Sequence, residues 1–390
     1  MMAARAAKPP AGERDPWEDH QLQQPPFRAE HIGSLLRPAG LLELRRKHRF
    51  GQVSEAALRQ AEDEAIGEAV ALQERVGLRF VTDGEFRRHS YHSFFFSQLG
   101  DIQPDWVPAD QQGTAEVPRR GVQPQARIRS RLQWTKPIHV EDFKFLQSRT
   151  KLTPKITIPG PCALHFRGGD QAVLASAYQD TESFWADTVD AFVKELRALA
   201  DAGCTYVQID ETAFAKFGDP HVQAELAARG DDWSVLIDRY IEVTNQVLRA
   251  APVSMRIGMH LCRGNRAGQF HSEGSYDSVA DRLFNALEIP FYYLEYDSER
   301  AGGFEPLRFV PKDKKVVLGL VSTKSGALED KEILKRRVGD AQAFVDLDRL
   351  AISPQCGFAS IEEGNPISPQ DQEAKLRLVV ETAREIWNDA

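Results

Sequence analysis

The chain has 390 residues, enough for one large domain or two ordinary ones. Hydrophobic residues make up 42% and charged residues 27%, a balance typical of a globular protein and not of a disordered chain. The formal net charge of −8 argues against a nucleic-acid-binding surface. A run of about 18 apolar residues, which a transmembrane helix would need, does not occur. We therefore expect neither nucleic acid nor membrane as a partner, and the oligomeric state stays open.

The first 26 residues are rich in Pro, Ala, Gln and charge and have no hydrophobic period. This composition predicts a flexible tail over residues 1–26 and a folded domain over residues 27–390. The tail has no apolar segment and carries four early acidic residues, unlike a secretory signal. We predict a cytoplasmic protein.

From Phe27 onward, apolar β-rich runs alternate with amphipathic stretches. The predicted strands are Phe27–Ile32, Leu78–Thr82, Lys155–Ile158, Tyr206–Ile209, Val253–Met259, Phe291–Tyr296, Lys315–Val321 and Leu350–Ser353. The predicted helices are Ser54–Val76, Tyr178–Ala200, Trp233–Leu248, Tyr276–Leu287, Glu329–Val345 and Pro369–Trp387. Ser54 and Ser368 are predicted to cap the helices that follow them.

Eight strands with intervening helices favour a single-domain α/β fold of the (β/α)₈ TIM-barrel type. Counting alone leaves a doubly wound sheet open. The segment from about 101 to 150 breaks the alternation, so it is predicted to be an insertion after the second strand. In a barrel the chemistry lies at the C-terminal ends of the strands.

Three of these strand ends carry residues that bind soft metals. Strand five ends in GMHLCRGN, and the two-residue period of a strand points His260 and Cys262 to one face. Strand six offers Glu295 and Asp297, and strand eight ends in SPQCGF with Cys356. An imidazole, two thiolates and a carboxylate form a set that favours Zn²⁺ over calcium or magnesium.

An electron-rich zinc of this kind suits thiol activation, because it lowers the pKa of a bound thiol and holds the thiolate. The alternative is that His260 is an ordinary core histidine and that Cys262 and Cys356 fill space as buried cysteines often do. Cys162 and Cys204 are interpreted as structural, and the wide spacing of all four cysteines argues against a disulfide framework.

Acidic residues end two further strands. VTDGEF places Asp83 and Glu85 after strand two, and VQIDET places Asp210 and Glu211 after strand four. Carboxylates at a barrel mouth can hold an ammonium group or act as acid and base. Such acids can equally cap the helices that follow the strands.

A glycine and two histidines complete the sequence-level candidates. In EHIGSLLRP, Gly33 permits close approach of a ligand, and Ser34 with the following amides could bind a carboxylate. In RRHSYHSFFF, His89 and His92 could face the mouth, with His92 as a proton donor, although packing roles are equally compatible.

The motifs HIGS, TDGEF, IPGP, VQIDE, MHLC, a strand ending in Glu, and SPQCGF occur in this order from Phe27 to Trp387. This order resembles the catalytic barrel of cobalamin-independent methionine synthases, and in length the chain is similar to the short one-barrel members. The resemblance implies a zinc held by His260, Cys262, Glu295 and Cys356. It implies homocysteine bound at its carboxylate by Ile32, Gly33 and Ser34, and at its amino group by Glu85 and Asp210.

The methyl donor is less defined by the resemblance, and 5-methyltetrahydrofolate or another methyl carrier fits. The full-length enzymes end strand seven in an Asp-Ile-His-Ser-like stretch, whereas this chain reads LGLVSTKSG and has Ser322 or Thr323 at the histidine position. It also lacks the N-terminal barrel of those enzymes. Lys324 and Arg167 are candidate contacts for an anion.

Three alternatives to homocysteine methylation remain at the level of sequence. Epoxyalkane:coenzyme M transferases share a similar barrel and zinc and alkylate a sulfonate-bearing thiol. The related uroporphyrinogen decarboxylase fold needs no metal, which would leave His260, Cys262 and Cys356 without a purpose. A non-catalytic barrel could bind a small molecule and hold a structural zinc with four closed ligands.

Overall fold

The structure is a computed structural model that describes residues 25–106, 125–174 and 177–388. Its helices are α1 (Ala39–Arg49), α2 (Glu55–Val76), α3 (Ser93–Ser97), α4 (Val140–Arg149), α5 (Ala163–Leu174, kinked at Gly169), α6 (Thr181–Asp201), α7 (Ala213–Lys216), α8 (Pro220–Arg229), α9 (Trp233–Ala250), α10 (Asp277–Ala286), α11 (Lys331–Gln342) and α12 (Pro369–Trp387). Among these helices none combines the length and apolarity that a membrane crossing requires.

The strands are β1 (Phe80–Val81), β2 (Ile102–Trp106), β3 (Gln125–Ile128), β4 (Thr153–Pro154), β5 (Ile156–Pro159), β6 (Tyr206–Glu211), β7 (Arg256–Leu261), β8 (Phe291–Glu295), β9 (Lys315–Val321) and β10 (Leu350–Pro354). Strands β5 to β10 form a parallel sheet in which each strand pairs with the next along the chain. Nearly all their residues are buried, as expected for strands covered by helices. The predicted parallel α/β fold is confirmed.

Both edges of this sheet are extended. At one edge β4 pairs with β1, and Lys155, the single residue between β4 and β5, donates its N–H to the Val81 carbonyl at 2.8 Å. At the other edge Ala29 forms an isolated parallel bridge with Ile352 in β10. The first predicted strand, Phe27–Ile32, is therefore reduced to one bridge.

In the part of the chain that the structure describes, no backbone ladder joins residues 27–32 to β1, so the sheet does not close into a barrel at this point. We call this gap the seam. The buried side chain of Gln73 in α2 spans it: Oε1 accepts the Thr82 N–H at 2.8 Å and lies 2.9 Å from His31 Nε2, and Nε2 donates to the Thr82 carbonyl at 2.9 Å. The Thr82 hydroxyl donates to the Gly33 carbonyl at 2.6 Å. Side chains thus replace main-chain pairing at the seam.

The predicted insertion contains regular structure. Strands β2 and β3 pair antiparallel, and α4 follows them. Residues 107–124 of the insertion and residues 1–24 of the predicted tail lie outside the described residues. Helices α1, α5 and α8 were not predicted. The predicted caps are present, since Ser54 accepts from the Ala57 N–H and Ser368 forms a reciprocal capping box with Asp371.

A buried polar cluster fills the sheet interior below the strand ends. Lys155 Nζ lies 3.2 Å from a carboxylate oxygen of Glu30 and donates to Gln208 at 3.1 Å. The Tyr206 hydroxyl donates to Glu30 at 2.6 Å. Gln208 in turn donates to Asp210 Oδ1 at 2.7 Å and to the Ile32 carbonyl at 2.5 Å. Through Gln208, this cluster holds Ile32 and Asp210, two residues of the predicted site, in place.

Candidate active site

The predicted site residues lie where parallel strands end. Asp210 in β6 is directly opposite His260 in β7, so the two side chains share one end of the sheet. Cys262 follows β7 immediately, Glu295 is the last residue of β8, and Cys356 follows β10. The strand register, and not sequence proximity, brings them together.

His260, Cys262 and Cys356 form a buried cluster whose ligand atoms all lie within 4.8 Å of one another. The two sulfur atoms are 3.4 Å apart, and the hydrogen bond from Cys262 lowers the pKa of Cys356 well below that of a free thiol. Neither ring nitrogen of His260 makes a well-formed hydrogen bond to another described residue. Orphaned buried nitrogens beside two thiols fit the tetrahedral nitrogen and sulfur coordination of zinc.

Glu295, the predicted fourth ligand, is not part of this cluster. Its Oε1 accepts from Arg300 at 2.7 Å and from Lys324 at 3.2 Å, and its Oε2 accepts the Arg263 N–H at 2.8 Å. Burial alone would raise the pKa of Glu295, but the surrounding cations outweigh it and lower that pKa to about 2. The structure brings three of the four predicted ligands together and holds the fourth as an ion-paired carboxylate.

The segment at the end of strand β9, where a histidine was expected from the resemblance to the full-length enzymes, faces this carboxylate. Ser322 donates to Asp297 at 3.0 Å, and Lys324 bridges Glu295 and Asp297 at 3.2 Å each. Thr323 is buried and accepts from the Asn265 side chain at 3.1 Å. Lys324 therefore neutralises two acids beside the metal-ligand cluster, which differs from the anion contact that the sequence suggested.

Glu85 and Asp210 form a buried acidic pair. Glu85 Oε1 accepts from the Thr157 hydroxyl at 2.8 Å, whereas Oε2 is buried without a partner among the described residues. Burial raises the pKa of Glu85 although Arg88 opposes the rise. Burial also raises the pKa of Asp210 to about 7, an effect that Glu85 strengthens and His260 opposes. Two carboxylates with an unused oxygen are suited to receive an ammonium group.

The turn after residue 32 packs tightly against this pair. Gly33 has φ +128°, and a Cβ there would lie 2.5 Å from Thr157 Cγ2 and 3.1 Å from Glu85 Oε1. Only glycine fits such a conformation and contact. Ile32 and Ser34 line the same cavity as Glu85, and the Ser34 hydroxyl accepts the Ala359 N–H at 3.3 Å.

One cavity of about 260 Å³ is lined by the cluster, by the acidic pair and by His89 and His92. His92 is buried, and its Nδ1 lies 3.2 Å from the Ser90 hydroxyl. The sequence prediction did not include Lys216 or His271, which line the cavity too. In the sequence, only the positive charge of Lys216, six residues after Asp210, could have indicated that it belongs to the site. Cys162 and Cys204 are buried and do not line the cavity, consistent with structural roles.

The family model described as the catalytic domain of cobalamin-independent synthases matches residues 27–385. The chain belongs to this family. The matched region contains every strand of the parallel sheet and every residue of the cavity just described. The relationship inferred from motif order is thereby confirmed.

Two relatives of this cobalamin-independent synthase family come from Bacillus subtilis strain 168. The uncharacterized protein YxjH is 38% identical over 366 residues, covering 93% of this chain and 95% of YxjH. The uncharacterized protein YxjG is 39% identical over 372 residues, covering 94% and 96%. A methionine synthase of Pyrococcus horikoshii is 24% identical over 334 residues, covering 85% and 86%.

Solved structures of the family share the fold. A Listeria monocytogenes protein assigned as a vitamin-B12-independent methionine synthase superposes with a TM-score of 0.72 at 32% identity, covering 93% of this chain and 98% of that one. A B12-independent methionine synthase from Shewanella, in complex with selenomethionine, gives 0.70 at 19% identity with the same coverages and supports the fold alone.

Proposed function

We propose that this protein is a zinc-dependent methyltransferase that methylates the thiol of homocysteine. The observation that carries the proposal is the buried cluster of His260, Cys262 and Cys356, which opens into the same cavity as Glu85 and Asp210. A soft-metal site suits a thiol, and a carboxylate pair suits an ammonium group. Homocysteine carries both groups on one short chain.

His260, Cys262 and Cys356 would hold the zinc, with Glu295 as a fourth ligand if it exchanges one of its ion-pair contacts. When bound, zinc supplies the acidity that converts a substrate thiol into a nucleophilic thiolate at neutral pH. Three protein ligands leave a position for that thiol, as in other catalytic zinc sites.

The protein groups around the metal orient the amino acid. Glu85 and Asp210 receive the ammonium group, and the amides and hydroxyl of residues 32–34 receive the carboxylate. His92 is positioned to give a proton to the leaving group of the donor, which is 5-methyltetrahydrofolate or another methyl carrier. We also infer that the sheet acts as an eight-stranded barrel, since its strand ends converge on one cavity despite the seam.

The acidic pair also bears on the alternative thiols. Homocysteine offers a positive charge to Glu85 and Asp210, whereas a sulfonate-bearing thiol has no cationic group to place there and its negative charge would be repelled at that position. The ammonium-bearing thiol is therefore the better match to this side of the cavity.

The decisive experiment compares Cys262→Ser with Cys204→Ser. We expect Cys262→Ser to lose zinc, measured by elemental analysis, together with homocysteine methylation, because a hydroxyl is a poor substitute for a thiolate ligand. Cys204→Ser makes the same change at a buried cysteine outside the cavity and should keep both. X-ray absorption of the unsubstituted protein should show one added sulfur ligand when homocysteine binds.

Methylation by a Cys262→Ser protein that contains no zinc would overturn the proposed mechanism. A protein that holds one zinc but gains no sulfur ligand on adding homocysteine would instead indicate a structural metal.

A further inference from the structure

Three cationic side chains line the cavity and have no role in the function proposed above: Lys216, Arg167 and Arg266. Lys216 is the last residue of α7 and Arg167 lies in α5, and both line the cavity together with Cys262. Lys216 is only 4% exposed, whereas Arg167 is half-buried. Two positive charges thus share one wall of a largely enclosed space.

Lys216 has no carboxylate partner in the described part of the chain. No hydrogen bond or ion pair to its ammonium is formed, and the nearest ring, Phe166, has its centroid 5.6 Å away. Burial and the charge of Arg167 together lower the pKa of Lys216 to about 8, although Cys262, Glu211 and Glu225 oppose the shift. A buried unpaired cation beside a second cation destabilises a fold unless a ligand pairs with it, so the arrangement favours a bound anion.

The groups around these cations can also donate to an anion. Tyr91 hydrogen-bonds Arg167 and Thr212, which orients the guanidinium at the cavity wall. His271 lines the cavity, and its Nε2 is buried without a partner among the residues described. Burial and the neighbouring cations lower the pKa of His271 to about 3, so the ring is neutral and offers one N–H.

The metal-ligand cluster interacts electrostatically with the acidic pair and with Lys216. Asp210 interacts with His260 and Cys356, whereas Lys216 interacts with Cys262. An alkyl transfer requires two organic molecules at one centre. The acidic pair matches the ammonium group of the thiol substrate, which leaves the cations for the other molecule.

We propose that Lys216 and Arg167 form a subsite for an anionic group, such as a carboxylate, phosphate or sulfonate, of the alkyl donor. The inference rests on the proposed function, because it assigns the donor side of the same cavity. Lys216 supplies the buried charge, and the planar fork of Arg167 offers paired N–H groups to the anion oxygens.

The test measures binding and not turnover, so that it stands apart from the zinc experiment. Inorganic phosphate and methanesulfonate are titrated calorimetrically into the zinc-loaded protein and into Lys216→Met, Arg167→Gln and Lys194→Met. Lys194 lies on the exposed face of α6, where it pairs with Asp190. We expect Lys216→Met and Arg167→Gln to weaken anion binding at least about tenfold, and Lys194→Met to leave it unchanged.

Homocysteine affinity and thermal stability complete the test. Lys216→Met should bind homocysteine as the unsubstituted protein does, and its midpoint of thermal unfolding should rise by about 1–3 °C because a buried charge is removed.

Equal weakening of homocysteine binding and phosphate binding would overturn the proposal by assigning the cations to the thiol substrate. Unchanged phosphate binding, or a lower unfolding midpoint, would overturn it by making Lys216 structural. If Lys216→Met loses phosphate binding while the unsubstituted zinc-loaded protein itself fails to methylate homocysteine, the anion subsite is supported and the result counts against the proposed function only.

Discussion

At the scale of single residues, the site combines two kinds of unsatisfied atoms. The ring nitrogens of His260 and one carboxylate oxygen of Glu85 are buried without well-formed partners among the described residues. Buried polar atoms normally find partners within the protein, so such exceptions mark places where a ligand completes the structure. In the proposed function, the His260 nitrogens would bind the zinc and the Glu85 oxygen would bind the ammonium group of the substrate.

Glu85→Gln tests the ammonium contact. The substitution keeps the shape of the side chain and removes its charge, so homocysteine binding should weaken about ten- to a hundredfold, because a hydrogen bond to a charged group contributes about 1.5–3 kcal/mol. Zinc content should not change. Glu363→Gln, the same replacement at an exposed residue of the cavity mouth, serves as the control in calorimetric titrations. Equal affinities for both variants would remove Glu85 from the site.

The raised pKa of Asp210 predicts a pH dependence. With a pKa of about 7, Asp210 is neutral below that pH and anionic above it. An amino acid whose ammonium stays charged, such as methionine, should therefore bind the metal-free protein less tightly as the pH falls through about 7. Calorimetry across this range measures the effect, and Asp210→Asn should flatten the profile. A profile that keeps its slope in Asp210→Asn would assign the titration to another group.

At the scale of secondary-structure elements, the seam is the weakest part of the sheet. Main-chain hydrogen bonds hold β5 to β10 together, and they also join residues 27–32 to β10 and β1 to β4, whereas the junction between residues 27–32 and β1 depends on Gln73 and on the Thr82 hydroxyl. Residues 32–34, predicted to bind the substrate carboxylate, come directly from this side-chain-supported segment. Their placement therefore depends on Gln73, a residue of α2 that does not line the cavity.

Gln73→Ala should destabilise the protein by about 2–4 kcal/mol, because it leaves the Thr82 N–H and carbonyl buried without partners. Urea unfolding measures the change. Gln60→Ala lies on the same helix at an exposed position, where a change within about 0.5 kcal/mol is expected. If both variants unfold at the same urea concentration, main-chain contacts and not Gln73 support the seam.

Element boundaries show which parts of the fold the sequence predicts well. β9 and α12 were predicted with their observed limits, because a continuous apolar run and a Ser-Pro cap are strong local signals. Helices α1 and α8 were missed, since they are short and each buries only two residues, which leaves little apolar pattern in the sequence. The strand over residues 27–32 was wrong in extent, because its pairing is replaced by a side-chain contact that no local pattern encodes.

At the scale of the whole molecule, the candidate site was predictable to the extent that strand ends define it. His260 and Cys262 are two apart at the end of one strand, and Cys356 follows another, so the order of the parallel strands brings them to the same end of the sheet. Glu295 was placed correctly at its strand end, but its ion-pair partners Arg300 and Lys324 belong to loops whose conformation is non-local. Lys216 was missed for the same reason.

The closeness of the Cys262 and Cys356 sulfur atoms has a further chemical consequence. At 3.4 Å they are not bonded, but a modest approach would bring them to the roughly 2.05 Å of a disulfide, which forms when an oxidant removes two electrons and two protons are released. The zinc that we propose would be bound by both thiolates and would keep them from joining. We therefore predict that the metal-free protein loses both sulfur ligands on exposure to air and that a reductant restores its capacity to bind metal.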